Sequence, residues 1–333
     1  MSQKQRFDLT ELLQKVHDYS GLAHKADIAR IAPNLTALPD GWHPNGDDTA
    51  AIPSGEGYTL LAMEGLLTAF VAEDPWFAGW CSVMVNVSDI AAMGGRPQAI
   101  VNALWSHDPE SAELIAKGMR EAADTFRIPI VGGHTNLRSN QPQLAVGILG
   151  RAQCLLSSFA ARPGQLLVAA IDLRGAYQAP YLNWNAATTA PAERLRDDIE
   201  LLPCIAEAGL AIAAKDISQA GLLGTTLMLM ESADVGVSIN LDAIPKPEKV
   251  TWEDWLCTFP SFGYLLTTDN EHLPMLLERF RARGIAAAQI GEIVSSPQLW
   301  VETDNDRQLF HDLATTPLTG LSRPQMPIPQ QEL

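Results

Sequence analysis

The chain has 333 residues, 39 acidic against 23 basic, for a formal net charge of −16 and a sequence pI near 4.8. That balance opposes binding to nucleic acid or an anionic membrane through bulk electrostatics, but not to a polyanion that arrives with divalent cations. Hydrophobic residues at 47% and charged residues at 19% describe a compact chain of two ordinary-sized domains. The four cysteines, Cys81, Cys154, Cys204 and Cys257, form no CxxC pair, so neither a zinc site nor a disulfide framework is indicated. Residues 1–14 lack the apolar run of a signal peptide, and no apolar run is long enough to cross a bilayer, so a cytoplasmic setting is expected.

In chain order, residues 8–19 and 25–31 read as short helices, the first capped by Asp8 or Thr10. A loop rich in Pro, Gly and Asn follows over 39–46, then GDDTAAI at 46–52 and a strand over 58–63 that ends on Glu64-Gly65. A long apolar helix begins near residue 79 and is followed by a strand over 98–105. An amphipathic helix covers 111–126, a short strand 128–131 runs into a Gly-Gly-His-Thr turn at 132–135, and another strand spans 144–152. The segment 152–164 reads as an interdomain connection. Beyond it come strands at 166–171, 211–215, 235–241, 285–293 and 299–302, with helices at 192–208, 218–231 and 271–283. The alternation implies an α+β, two-domain architecture: residues 1–152, residues 153–320 and a loose Pro/Gln-rich tail over 321–333.

The helix of GWCSVMVNVSDIAAMGGRP, residues 79–97, organises the rest. At about 100° per residue, Ser82, Asn86 and Asp89 fall on one narrow arc and apolar residues cover the remainder. A helix apolar nearly all round is buried, so its carboxylate and amide must be paired or hold a metal. Gly94-Gly95 ends the helix and Arg96-Pro97 keeps it from continuing.

Carboxylates also stand at strand ends: Asp47-Asp48, Glu64 and Asp216. Each alone reads equally as a turn or a solvated residue. Together with Asp89 they have the composition of a Mg²⁺ site, because hard cations take oxygen ligands and phosphate completes the shell. Glycine-rich turns lie beside them at Gly132-Gly133 and Gly221–Gly224, and the second opens a helix, where free N–H groups favour phosphate.

GDDTAAI, VNVSDIAAMGGRP, VGGHT and DISQAGLLG, in that order, resemble the PurM-like superfamily of aminoimidazole ribonucleotide synthetase. That superfamily also holds thiamine-monophosphate kinase, selenophosphate synthetase and a hydrogenase maturation factor. The resemblance covers residues 40–300. It implies an N-terminal sheet domain that pairs in a homodimer, a C-terminal α/β sandwich domain, and ATP bound with Mg²⁺. It further implies phosphoryl transfer to a small-molecule acceptor. By matching position, Asp47, Asp48, Glu64, Asp89 and Asp216 would ligate Mg²⁺, with Asp48, Asp89 and Asp216 catalytic. Gly46, Asn86, Gly132, Gly133, His134, Thr135 and Gly221 would contact the nucleotide. The chain departs from the selenophosphate branch in having no Cys before Cys81, and from the kinase branch in reading Asp216-Ile-Ser218-Gln219 and Ser261-Phe-Gly263-Tyr264. It therefore reads as a separate, ATP-dependent branch, the alternatives being a kinase- or selenophosphate-synthetase-like enzyme, or a non-catalytic nucleotide-binding or assembly protein. Trp184, Trp252, Trp255, Phe259, Phe262 and Tyr264 are the aromatic candidates for an acceptor pocket over the second domain; the same residues serve equally as core. Lys215 and Arg96 are candidate phosphate-neutralising cations.

Overall fold

A computed structural model describes residues 7–260 and 262–322. The first part of the chain forms helices α1 (Leu9–His17), α2 (Ser20–Ala26) and α3 (Ile28–Ile31), then strands β1 (Ala50–Ser54) and β2 (Gly57–Gly65). Helices α4 (Thr68–Glu73) and α5 (Pro75–Ala92) follow, then β3 (Gly95–Trp105), α6 (Pro109–Phe126), β4 (Ile130–Asn136) and β5 (Gln143–Ala152). These five strands make one sheet in the order β1-β2-β5-β3-β4, antiparallel except for the β3–β4 pair. Its inner face, with Leu60, Ile100, Val146 and Ile148, packs on α5 and α6. Its outer face carries Leu61, Met63, Val101 and Leu149 to solvent. Cross-strand register puts these four on one side, since Leu61 faces Leu149 and Gly147 faces both Met63 and Val101.

The second part contributes β6 (Leu166–Ile171), β7 (Ala176–Gln178), β8 (Asn183–Asn185), α7 (Ala192–Ile199), α8 (Leu201–Glu207) and β9 (Ala213–Asp216). Then come α9 (Gly221–Ala233), β10 (Gly236–Asn240), α10 (Trp252–Leu256), β11 (Phe259–Pro260), β12 (Gly263–Thr268), α11 (Leu273–Arg281), β13 (Ala286–Val294), β14 (Gln298–Glu302) and β15 (Arg307–Asp312). Seven of these strands form a sheet ordered β15-β14-β10-β13-β6-β12-β9, and β11, β8 and β7 form a small third sheet. Strand β6 is buried on both faces: Leu167, Ala169 and Ile171 join the core under α9, and Val168 and Ala170 join the one under α8 and α11. That is why LLVAAI is continuously apolar instead of alternating.

Helix α5 belongs to both domains. It packs closely on α6, where a Cβ at Gly79 would stand 2.1 Å from the Ile115 carbonyl oxygen. At its other end Ala91 and Ala92 lie in the second domain's core with Leu202 and Ala206. Asp8 caps α1, accepting from the Glu11 N–H, and α1 packs through Leu9, Leu12, Leu13 and Val16 into the core of the second domain, although the sequence groups it with the first.

Several elements differ from the sequence reading. The single helix expected over 192–208 is two, because Pro203 lacks the N–H that would reach back to Ile199, and the ladder breaks at Glu200. Residues 132–135 are the middle of β4, not a turn. Strands β12 and β15 and helix α4 carry no clear sequence signal; GYLLTT is fully buried, and such a short run has no distinguishing period. The tail is tethered at its start: Glu231 accepts from the N–H groups of Leu318, Thr319 and Gly320 and from the Thr319 hydroxyl. Residues 323–333 of the expected loose tail, and Ser261 of the aromatic stretch, lie outside the described residues. Among the described residues no helix is long and apolar enough to cross a membrane.

Candidate functional site

Between the two domains lies a cavity of about 330 Å³. The loop before β1 brings Gly46, Asp47 and Asp48 to it, the end of β2 brings Glu64, the last turn of α5 brings Asp89, and the end of β9 brings Lys215 and Asp216. Five carboxylates far apart in the sequence therefore share one space. Each reaches it for a local reason: a strand end projects its last side chain past the sheet, and Asp89 lies on α5 where that helix passes between the domains.

The carboxylates are not equivalent. Asp47 is engaged by the interdomain connection, its oxygens accepting from the Ser157 hydroxyl at 2.6 Å and the Ser158 N–H at 2.7 Å. Burial pushes its pKa up against the pull of Lys215. Asp48 accepts from Lys215 Nζ at 2.5 Å and from the Asp216 N–H at 3.1 Å. Burial draws Lys215 down, but the charges of Asp48, Asp47 and Asp216 outweigh it, and its pKa lies above the ordinary lysine value. Lys215 is thus a buried counter-ion to Asp48.

Asp89 and Asp216 are both driven well above the carboxylate range. Burial is the first cause; for Asp89 the charges of Asp216, Glu64 and Asp48 add to it, and for Asp216 those of Asp48 and Glu64. Glu64 is raised by burial and by Asp48. The Asp89 Oδ2 atom is buried with no hydrogen-bond partner, and so is the hydroxyl of Ser218, which also lines the cavity. The arrangement holds more negative charge than Lys215 and Lys25, the two lining cations among the described residues, can balance. Such a site takes up protons or metal cations.

The donor set suits a hard cation: it is all oxygen, and the Asp89 Oδ2 atom is desolvated and unpaired. Among the described residues, no group of three or more His, Cys, Asp or Glu side chains could hold a metal ion unaided. A metal here would need oxygens from a ligand, as phosphate provides.

Other expected site residues stand elsewhere. Asn86 is fully buried on α5 and donates to the Ser82 carbonyl at 2.8 Å, and the Ser82 hydroxyl donates to the Gly79 carbonyl. The stripe of α5 that lines the cavity is Cys81, Val85 and Asp89, one turn apart, and not Ser82, Asn86 and Asp89. Gly132, Gly133, His134 and Thr135 are exposed on β4 and do not line the cavity; the His134 ring lies 5.9 Å from that of Trp105. Gly221 has φ +69°, and a Cβ there would meet the Leu256 carbonyl oxygen, so it serves chain packing at the start of α9. It is Ser218 and Gln219, just before it, that line the cavity.

Of the aromatic candidates only Phe259 lines the cavity. Trp184 and Trp255 pack edge to face in the core, Phe262 and Tyr264 in another, and Trp252 lies under Lys246. Arg96 is held on the surface by Glu200 and Glu207. Sequence reasoning missed Lys25, Phe70, Tyr181, Asn183 and Leu321 as lining residues; scattered singly through the chain, they carry no motif.

Comparison with known proteins gives consistent results. The family described as AIR synthase related protein, N-terminal domain, matches residues 46–152, and its C-terminal domain matches residues 170–303. An uncharacterized protein of Synechocystis sp. is 44% identical over 94% of this chain and 99% of its own length. The thiamine-monophosphate kinase of Pyrococcus horikoshii is 31% identical over 62% of this chain and 70% of its own. Among solved structures, T. maritima PurL complexed with AMPPCP superposes with a TM-score of 0.70 at 21% identity, over 92% of this chain and 51% of PurL. The chain thus spans about half of that protein.

Proposed function

Because this chain belongs to the AIR synthase-related, PurM-like superfamily of ATP-dependent kinases and synthetases, we propose that its interdomain cavity binds ATP with Mg²⁺ and phosphorylates a small-molecule acceptor. One observation carries the reading: Asp89 and Asp216, both buried, line a single cavity with Glu64, which is exposed at the end of β2, and with Asp48, more acids than Lys25 and Lys215 can balance. T. maritima PurL, which shares the fold, forms complexes with ATP and with AMPPCP, and this supports the nucleotide assignment.

Asp48, Glu64, Asp89 and Asp216 are the residues that would hold Mg²⁺, with Asp47 positioning the loop through Ser157 and Ser158. When bound, Mg²⁺ would neutralise the triphosphate and let an acidic site accept it. In the transfer, an acceptor oxygen bonds to the γ-phosphorus as the bond to the β,γ-bridging oxygen breaks. That electron pair would leave on ADP, and the acceptor proton would pass to a cavity oxygen that the metal leaves free or to water. We also assign the exposed apolar face of the first sheet to pairing with a second copy of the chain.

The test is calorimetric titration with ATP in Mg²⁺ and in EDTA, with ADP release measured in parallel. Binding is expected in Mg²⁺ and is lost in EDTA; tight binding without metal overturns the reading. Nucleotide binding with no ADP release for any acceptor would leave a nucleotide-binding protein without turnover.

A further inference from the structure

The cavity has two chemically different ends, and α5 measures the distance between them. Cys81, Val85 and Asp89 line it at successive turns. At a rise of about 1.5 Å per residue, the carboxylate end and the Cys81 end stand about 12 Å apart. The Cys81 end is formed by both domains: Asn183 and Phe259, from the small third sheet, lie with Cys81, and Phe70 of α4 and Tyr181, just before β8, line the same cavity. Phe70 and Tyr181 meet edge to face, ring centroids 5.2 Å apart. The Tyr181 hydroxyl donates to Glu73, so what Tyr181 offers the cavity is its ring. Burial pushes the Cys81 thiol far above its ordinary value, so it is an apolar lining group and not a nucleophile. The Asn183 carboxamide is the polar group at this end.

Charge sets a second constraint. Among the described lining residues the cations are Lys25 and Lys215. Lys215 is held by Asp48, and the charge of Lys25 acts on Glu64, Asp89 and Asp216, at the acidic end. A phosphate ester placed among Phe70, Tyr181 and Phe259 would lose its hydration and find no counter-ion. At the acidic end it would compete with the triphosphate for the same metal. A planar apolar group among three aromatic rings, by contrast, gains from burial and edge-to-face contact.

We infer that the acceptor is a phosphate-free molecule with its reacting heteroatom at the Asp89 end and a body of one or two apolar rings seated between Phe70, Tyr181 and Phe259. This inference rests on the phosphoryl-transfer reading for the role of the reacting atom, while the ring site stands on the cavity alone.

The test uses the full chain in a thermal-shift screen, with and without Mg²⁺ and AMPPCP. The library pairs mono- and bicyclic aromatics bearing a hydroxyl, amine or carboxylate with the phosphate esters of the same compounds. Stabilising hits are expected among the phosphate-free members, each binding at least tenfold more tightly than its ester by calorimetry. Phe259→Ala and, separately, Phe70→Ala should each weaken those hits at least tenfold while the circular dichroism spectrum is unchanged. Esters that bind as well as or better than their parents overturn the inference. So does an absence of hits among the ring compounds, or affinity unchanged in both variants. Failure of AMPPCP to bind counts separately against the nucleotide reading, since the screen without nucleotide still reports on the ring site.

Discussion

Asp89 is a buried carboxylate with one oxygen unpartnered and three other acids bearing on it, and its folded pKa lies well above the value it has in an unfolded chain. The folded metal-free protein therefore binds more protons than the unfolded one between those two pKa values. Its stability falls as pH rises from the ordinary carboxylate range toward the folded value. Urea denaturation between pH 4 and 8 in EDTA should show that decline, saturating Mg²⁺ should flatten it, and Asp89→Asn should make it shallower. The same variant should raise metal-free stability near pH 8 while abolishing ADP release. An Asp89→Asn protein with unchanged pH dependence and full turnover would remove Asp89 from the site. Lys215 presents the converse case. Lys215→Met would leave Asp48 charged and buried beside Asp47, at a cost of about 3–5 kcal/mol in urea denaturation. A loss below about 1 kcal/mol would mean that the Lys215–Asp48 pair is not needed to hold the loop before β1 against β9.

Among the elements, α9 fixes the chain's far end through one side chain. Glu231 receives four hydrogen bonds from residues 318–320, and Thr319 and Leu321 line the cavity. Glu231→Ala should leave those N–H groups without an acceptor, at about 1–3 kcal/mol for each one that stays buried. Amide exchange should rise by at least tenfold at Thr319 and Gly320 while the β6 amides stay protected. Equal protection in the variant would show that the Leu318 packing suffices without the carboxylate. This tether also shows what the sequence could and could not convey. The acids at 47, 48, 64, 89 and 216 were legible because each ends a strand or marks a polar break in an apolar run. The remainder of the predicted α5 stripe was not, since Ser82 and Asn86 close hydrogen bonds on their own helix, and a short polar side chain in a helix has that option at every position. Gly132-Gly133 read as a turn because glycine pairs usually mark one, yet here they sit in β4 alongside β3, with Gly133 tight against Asn102. Of the ring-lined end only Phe259 was legible, within the aromatic stretch of the second domain; Phe70 and Tyr181 are isolated aromatic residues that only α4 and the approach to the third sheet bring to it.

For the whole molecule, the outer face of the first sheet sets the expected assembly. Met63 is 70% and Leu61 50% exposed, side by side with Val101 and Leu149, a contiguous apolar surface of a kind that soluble monomers rarely leave uncovered. Light scattering should give a dimer for the native chain and a monomer for Met63→Asp combined with Leu149→Lys, with the fold retained. A native monomer at micromolar concentration would exclude this face as a self-association surface. The other global feature is α5, whose first turns lie in one core and whose last residues, Ala91 and Ala92, lie in the other. A rod embedded at both ends acts as an axle shared by the two halves, with Asp89 near the point where it passes from one core to the other. Around that axle the cavity wall is completed by small pieces from distant parts of the chain, Lys25 of α2 and Thr319 and Leu321 of the terminal segment, so loosening the Glu231 tether should disturb any ligand bound there without altering either core.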